Sequence, residues 1–551
     1  MPQSRGLKQT LDDAMLAFRI TDFSGGLNSE MDQLDLSENS SPDCENVKIT
    51  RPGRLIGRDG YTKRISSLGS DPDGIAFFYT SNGARKVVMW TAGNMYDVTS
   101  HSLTEIASGV YESGTRVCSA ALNGTLYYSD GVMAVGIRTW DGTTEQALAS
   151  SSPGVGGILA TPACKVMTTY AGSLVIGNIR YQDGTTAPHA FHWSDVNDPT
   201  TIRGTSIMQV GQGYGGEINC ILPLAVASTG VSPFRALIVG KSQFGLYGYS
   251  GALSTDADGL SEFLINCPAG VRDGETMKYI PGPDGSGFVV FLGTDNKVWA
   301  VNGTSAVEIS GNIRTELSRY IQLKMQSASP RFTAVVNSSD FQYMLDCGDL
   351  IYCYQYDLKT WTRYRGLPSG HWVEAKDIFG NAVVYCADRS GQSLAQIGYG
   401  TTDNGSAITP YWKTPYIHCG DRNILKTWQW IFVAFRTDDG DIVVTTTPNM
   451  ETGTASIKTL SIDTTDAADD LIWDTGDWDE HNWAFDSADT FRTHRKKARL
   501  TYQATGVNYK ELVRGTDVTI KLSTSSTTGH FEVLGITLLY LPRGRRRVAP
   551  L

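Results

Sequence analysis

The sequence predicts an all-β fold: a β-propeller-like array of short antiparallel sheets, joined to an additional antiparallel β-sandwich-type platform domain. Three observations carry this. The 551 residues contain 58 Gly, 25 Tyr and 12 Trp, a composition suited to short strands packed by aromatics and joined by tight turns. Apolar runs such as GIAFFYT, KVVMWTA, SLVIGNI, RALIVG, GFVVFLG and NAVVYCA are each followed by a turn. An aromatic strand then ends each unit, and its aromatics recur. With Tyr96, Trp140, Trp193, Tyr247, Trp299, Tyr354 and Tyr399 as anchors, the spacings are 44, 53, 54, 52, 55 and 45 residues.

Propeller blades repeat at about 40–50 residues, so seven anchors fit a ring of six to eight blades with loop insertions. A ring answers a physical problem. Separate four-stranded sheets expose two faces, and stacking them around an axis buries both while leaving only short edges. A β-sandwich array is the competing arrangement at this stage.

Taken in order, residues 1–70 read as an N-terminal arm and platform strands, 71–405 as the propeller-like domain, and 406–551 as a C-terminal β-domain completing the platform. Leu7–Leu16 could form a short helix, and little else reads as helical. Beyond Ile408 the period is lost. NILKTWQWIFVAFRTDDGDIVVTTTP reads as two strands around a DDGD hairpin turn. An acidic segment, Asp463 to Glu480, includes Asp463, Asp466, Asp469, Asp470 and Asp477 among its eight carboxylates, with Trp473, Trp478 and Trp483 in or beside it. A basic cluster follows: Arg492, His494, Arg495, Lys496, Lys497 and Arg499. The two runs read as solvated loop and face, or as a partner surface or lumen lining in which acid meets base, and the basic cluster also reads as a phosphate-contacting patch.

Composition excludes several function classes. The net charge of −10 would on average repel DNA, which disfavours a tight nucleic-acid binder but suits a channel through which DNA slides. Nine cysteines, scattered singly with no CxxC pair, point to buried thiols in a reducing cytoplasm, where the chain would be made and assembled. The N-terminus lacks a signal-peptide pattern, and no apolar run approaches the roughly 20 residues needed to span a bilayer, so no stable membrane insertion is expected.

The chemical motifs are sparse. His189 and His192 in APHAFHW are the closest histidine pair, but i, i+3 spacing on a strand does not aim both at one metal. GQGYGG at 211–216 reads as a turn rather than a phosphate loop, and no nucleophile elbow or dinucleotide fingerprint occurs. Asp256, Asp258 and Gly259 imitate the middle of a calcium loop, but its twelfth position would be Ile265 rather than Glu. They, and SDPDG at 70–74, read as polar hairpin loops. No catalytic residue, metal site or cofactor is expected, and the chain reads as a non-enzyme.

The segment DFSGGLNSEM…SPDCENVKITRPGRLIGRDGY resembles the opening of tail proteins of short-tailed bacteriophages. The matching residues are Phe23, Gly25, Gly26, Asn28, Glu45, Asn46, Val47, Gly53, Leu55, Arg58 and Gly60. WDTGDWDEHNW followed by FEVLGITLLYLPRGRR is similar to the closing module of β-rich phage tail proteins. The resemblance implies the tail nozzle (tail tubular protein B) family: a structural virion protein, a hexamer below portal and adaptor that encloses the DNA ejection channel. It implies an adaptor and fibre or spike proteins as partners, with genomic DNA passing without specific binding. A receptor- or glycan-binding propeller at the tail tip is the alternative expectation.

Overall fold

The computed structural model describes residues 15–132, 136–151, 153–154, 157–226, 234–253, 259–282, 287–420, 422–436, 442–448, 458–462, 493–502, 511–524 and 531–545. The chain forms two compact units. One comprises residues 61–353 and 366–399, the other residues 1–60, 354–365 and 400–551.

The first unit is built from successive antiparallel sheets, each a meander of consecutive strands. Blade one runs Pro72–Tyr79, Arg85–Thr91, Asn94–Asp97, Thr104–Ala107. Blade two runs Cys118–Leu122, Thr125–Ser129, Arg138–Trp140, Glu145–Ala147. Blades three and four start at Ala163–Tyr170 and Ile218–Val226, and blade five at Lys278–Pro281. Blade six starts at Thr333–Asn337 and continues with Gln342–Asp346. Blade seven is Gly370–Lys376, Ala382–Asp388 and Ser393–Ile397, and its next strand is Tyr61–Ile65, from the opposite end of the unit.

The first strand of each blade touches the first strand of the next, from blade one through blade seven, and the seventh returns to Pro72–Tyr79. The array is therefore a closed seven-bladed β-propeller. Period-2 alternation places apolar residues of neighbouring sheets face to face. Between blades one and two, Trp90 packs tilted against Tyr128 with ring centres 5.3 Å apart, and Phe78 meets Trp140 edge-on at 5.5 Å. Between blades three and four, Phe191 meets Tyr249 at 5.2 Å, beside the buried Trp193. The tight turns follow local chemistry: Asn123 and Gly124, with φ of 52° and 79°, make the two-residue hairpin that joins the first strands of blade two.

Six of the seven anchor aromatics lie on the third strands of blades one to six, and Tyr399 lies two residues past the third strand of blade seven. The propeller reading thus came from a real structural repeat.

The second unit contains an eight-stranded sheet and a five-stranded sheet. In the first, Ile424–Arg436 pairs with Glu532–Arg545, Thr493–Arg499 and Glu511–Gly515, while Leu16–Ile20 and Arg54–Gly57 both pair with Glu532–Arg545. The second has the order Asp43–Glu45, Tyr411–Lys413, Val518–Ser523, Ile442–Pro448, Lys458–Ile462. Both chain ends therefore build this platform.

Two local expectations are corrected. Ile424–Arg436 and Ile442–Pro448 do not form a hairpin: they enter different sheets, Ile424–Arg436 pairing with Glu532–Arg545 and Ile442–Pro448 with Val518–Ser523 and the next strand, Lys458–Ile462. The DDGD residues between them lie outside the described residues. The one α-helix among the described residues is Arg314–Met325, which buries only Leu317 and Ile321. That i, i+4 pair is too narrow a stripe to stand out among polar neighbours. The expected Leu7–Leu16 helix lies outside the described residues apart from its end, and Leu16 opens a strand.

Candidate functional site

The propeller encloses an axial cavity of about 690 Å³, lined by the first strands of six blades and the turns leading into them. Its chemistry follows from a regularity of those strands. Each begins near a charged or ionisable residue: Asp73, Arg116, Lys165, Glu217, the Asp273–Glu275–Lys278 group, Arg331 and His371, in blade order. Strand starts share one end of a propeller, so these side chains meet.

Arg116 reaches Asp273 with two parallel bonds, Nη1 to Oδ1 at 2.5 Å and Nη2 to Oδ2 at 3.0 Å, and its Nε meets Glu275 Oε1 at 3.0 Å. Asp273 also accepts from the backbone N–H groups of Glu275 (3.1 Å) and Phe332 (2.9 Å). His371 Nδ1 lies 3.0 Å from both Glu275 oxygens, and Arg331 Nη1 lies 3.2 Å from His371 Nε2. A guanidinium can only donate, so Nε2 accepts and Nδ1–H donates to Glu275. Arg331 also donates to the Gly114 carbonyl at 2.7 Å, and Gly114 N–H and the Tyr111 hydroxyl each donate to Asp73 Oδ2 at 2.9 Å. Asp73 is 1% exposed, so SDPDG is not the polar loop expected; its aspartate is buried within the network.

Charge is balanced by contact. Burial alone would raise Glu275, but Arg116 and then His371 hold its carboxyl well below the ordinary range. Burial works against the Arg116 charge, and Glu275 and Asp273 more than restore it. On the other side of the cavity, Lys165 lies 3.3 Å from Glu217, which also accepts from Asn178 at 2.7 Å. Asp130 accepts from the N–H groups of Glu112 and Val132. Lys278 is different: among the described residues its ammonium has no hydrogen-bond or ion-pair partner, and desolvation lowers its pKa although Glu275 opposes this. The neighbouring Cys220 thiol is pushed up to about 12 by burial, with Lys278 opposing. The sequence reading missed this site. Its signal was a charged residue just before each apolar run, invisible until the runs are known to share an axis.

The residues carrying the phage-tail resemblance gather in the platform. Phe23 is fully buried and meets Trp412 edge-on at 5.5 Å. Val47 and Leu55 are also fully buried, and Gly25, Gly26 and Gly53 lie in the tight turns around them. Asn28 Oδ1 accepts from the N–H groups of Glu30 and Met31 at 3.2 Å. Arg58, 5% exposed, donates to both Asp403 oxygens (2.8 and 2.5 Å), to Asn46 Oδ1 at 2.9 Å and to the Arg365 carbonyl at 2.8 Å. Arg365 returns its N–H to Asn46 and its Nε to Glu45. Gly60 packs against the Thr402 backbone and donates to the Gly400 carbonyl at 2.8 Å. These residues form a scaffold knot rather than a reactive site.

Arg495, Lys496 and Lys497 lie on Thr493–Arg499, opposite Ala434, Val433 and Phe432 of the central platform strand. Asp463, Asp466, Asp469, Asp470 and Asp477 lie outside the described residues, as do Asp256 and Asp258. His189 and His192 find different partners: His189 Nδ1 the Gly216 carbonyl, His192 the Ser206 carbonyl through Nδ1 and the Tyr181 hydroxyl through Nε2, each at 2.8 Å. Among the described residues no group of three metal-capable side chains converges, and no helix is long and apolar enough to cross a membrane.

No protein-family model matches the chain, and no curated protein matches it. Among solved structures it is similar to the extracellular domain of a one component system, BT4673, from B. thetaiotaomicron, at 10% identity and a TM-score of 0.37. That match covers 67% of this chain and 42% of the other, so the chain spans about two fifths of that protein's length. It is also similar to BBS1N crystallised in complex with ARL6DN, at 10% identity and a TM-score of 0.39, covering 63% of this chain and 99% of the other.

Proposed function

We propose that the chain is a structural subunit of a short-tailed phage tail, of the nozzle type, which joins copies of itself into a ring extending the DNA ejection channel below portal and adaptor. The observation that carries this reading is the platform: both chain ends build it, a propeller interrupts it, and the residues of the phage-tail resemblance knot it together around Arg58 and Phe23. The axial cavity, at about 690 Å³, has the size of a small-molecule site. Duplex DNA would therefore pass between subunits, not through a propeller. Charge fits that role, since six copies at −10 each would carry −60 and discourage DNA from adhering to the wall.

The test is electron microscopy and mass measurement of the purified chain with and without its adaptor. A six-fold ring formed on the adaptor supports the proposal. A chain that ignores the adaptor while binding host glycans would overturn it and favour the tail-tip receptor reading.

A further inference from the structure

The axial cavity has one cation without a direct hydrogen-bond or ion-pair partner among the described residues, although Glu275 and Asp273 act on it at longer range. Arg116, Glu275 and His371 are locked in one network, Lys165 and Glu217 pair with each other, and Asp130 is satisfied by backbone amides. Lys278 alone presents a cation with no direct partner among the described residues, in a wall where burial already disfavours its charge. An unpaired ammonium costs the empty fold and rewards whatever brings it an anion.

The rest of the wall narrows the ligand. Ser119, Thr168 and Thr169 also line the cavity, and their hydroxyls make no hydrogen bond to another described residue. Ile75, Val166, Ile221 and Met277 supply apolar surface between them. One cation, several free hydroxyls and an apolar floor within a volume of small-molecule size make a site with orienting polar groups in a mostly preformed pocket.

We propose that this cavity binds a small hydroxylated organic anion, its carboxylate or phosphate seated on Lys278 and its hydroxyls on Ser119, Thr168 and Thr169. The proposal is independent of the nozzle reading, because it concerns the propeller of one chain.

The experiment is calorimetric titration of the full chain with D-galacturonate, with D-galactose as the neutral counterpart, and with glucose 6-phosphate against glucose. At least one anion is expected to bind ten-fold or more tightly than its neutral counterpart. Lys278→Met should abolish that preference while leaving the melting temperature of the unliganded chain unchanged or higher. Galacturonate alone responding assigns the anionic group as carboxylate; glucose 6-phosphate alone assigns it as phosphate. Lys278→Gln repeats the measurement should the methionine variant fail to fold. Neutral and anionic sugars binding equally, no anion binding, or an undiminished anion preference in both variants would overturn the proposal.

Discussion

The propeller and the platform are both antiparallel β-structure, yet they are held together on different scales of chain distance. Within a blade, nearly every strand pairs with the strand before or after it, and only Tyr61–Ile65 crosses the whole unit to find Ser393–Ile397. In the platform, Glu532–Arg545 pairs with Leu16–Ile20, Arg54–Gly57 and Ile424–Arg436, so residues from both ends must meet before a sheet exists. The propeller spreads its stability over repeated interfaces; the platform concentrates it in a few long-range knots. Local breaks should therefore be absorbed by one unit and amplified in the other.

The largest effect is expected at the Arg58 knot. Arg58→Met leaves Asp403, Asn46 and the Arg365 carbonyl without their buried donor, and breaking a buried pair from one side costs about 3–5 kcal/mol. Hydrogen exchange should speed up through the strands around Arg54–Gly57 and Glu532–Arg545 while blades two to five keep their protection. Uniform acceleration across both units would contradict the contrast.

Acid sharpens the comparison from the propeller side. Burial holds His192 neutral, with its pKa lowered from 6.5 to about 4, despite backbone hydrogen bonds that favour the proton. The unfolded chain takes up a proton first as pH falls, so this contribution is complete above pH 6.5 and is lost between 6.5 and 4. At 1.36 kcal/mol per unit the loss is about 3 kcal/mol. Denaturant midpoints at pH 6.5 and pH 4 should show it, and His192→Gln should shrink the difference.

A smaller effect is expected at Gly26, whose φ is +64° and whose added Cβ would fall on Thr360 Oγ1. Gly26→Ala should cost about 1–3 kcal/mol through backbone strain and that clash, read as a lowered denaturation midpoint of the platform. The smallest is at the partly exposed Lys48–Asp59 pair, 2.6 Å apart. Lys48→Met should change platform stability by about 0.2–1 kcal/mol, and a larger shift in the same titration would show that this pair belongs to the knot.

The same difference in chain distance explains what could be read from the sequence. A meander writes its period into the text, so Tyr96, Trp140, Trp193, Tyr247, Trp299 and Tyr354 marked third strands directly. The closing strand Tyr61–Ile65 left no such mark, because nothing local distinguishes a strand that waits for a distant partner. Ile424–Arg436 and Ile442–Pro448 misled for the mirror-image reason: a turn-like DDGD between two strand-like runs looks like a hairpin, although partners elsewhere win both strands. The Arg58 knot was visible only as a resemblance in the sequence, and the fold shows what those residues do. The axial charges were in plain view but unassignable, since Arg116 and Asp273 become neighbours only when the ring closes.

The strand Tyr61–Ile65 also sets a schedule. During synthesis it leaves the ribosome early and stays without its partner until Ser393–Ile397 follows, more than three hundred residues later. At about 5–20 residues per second that wait lasts on the order of 15–65 seconds. For that interval the blades already made are an open arc with two bare flanks, and the cell must keep other chains from pairing with either one.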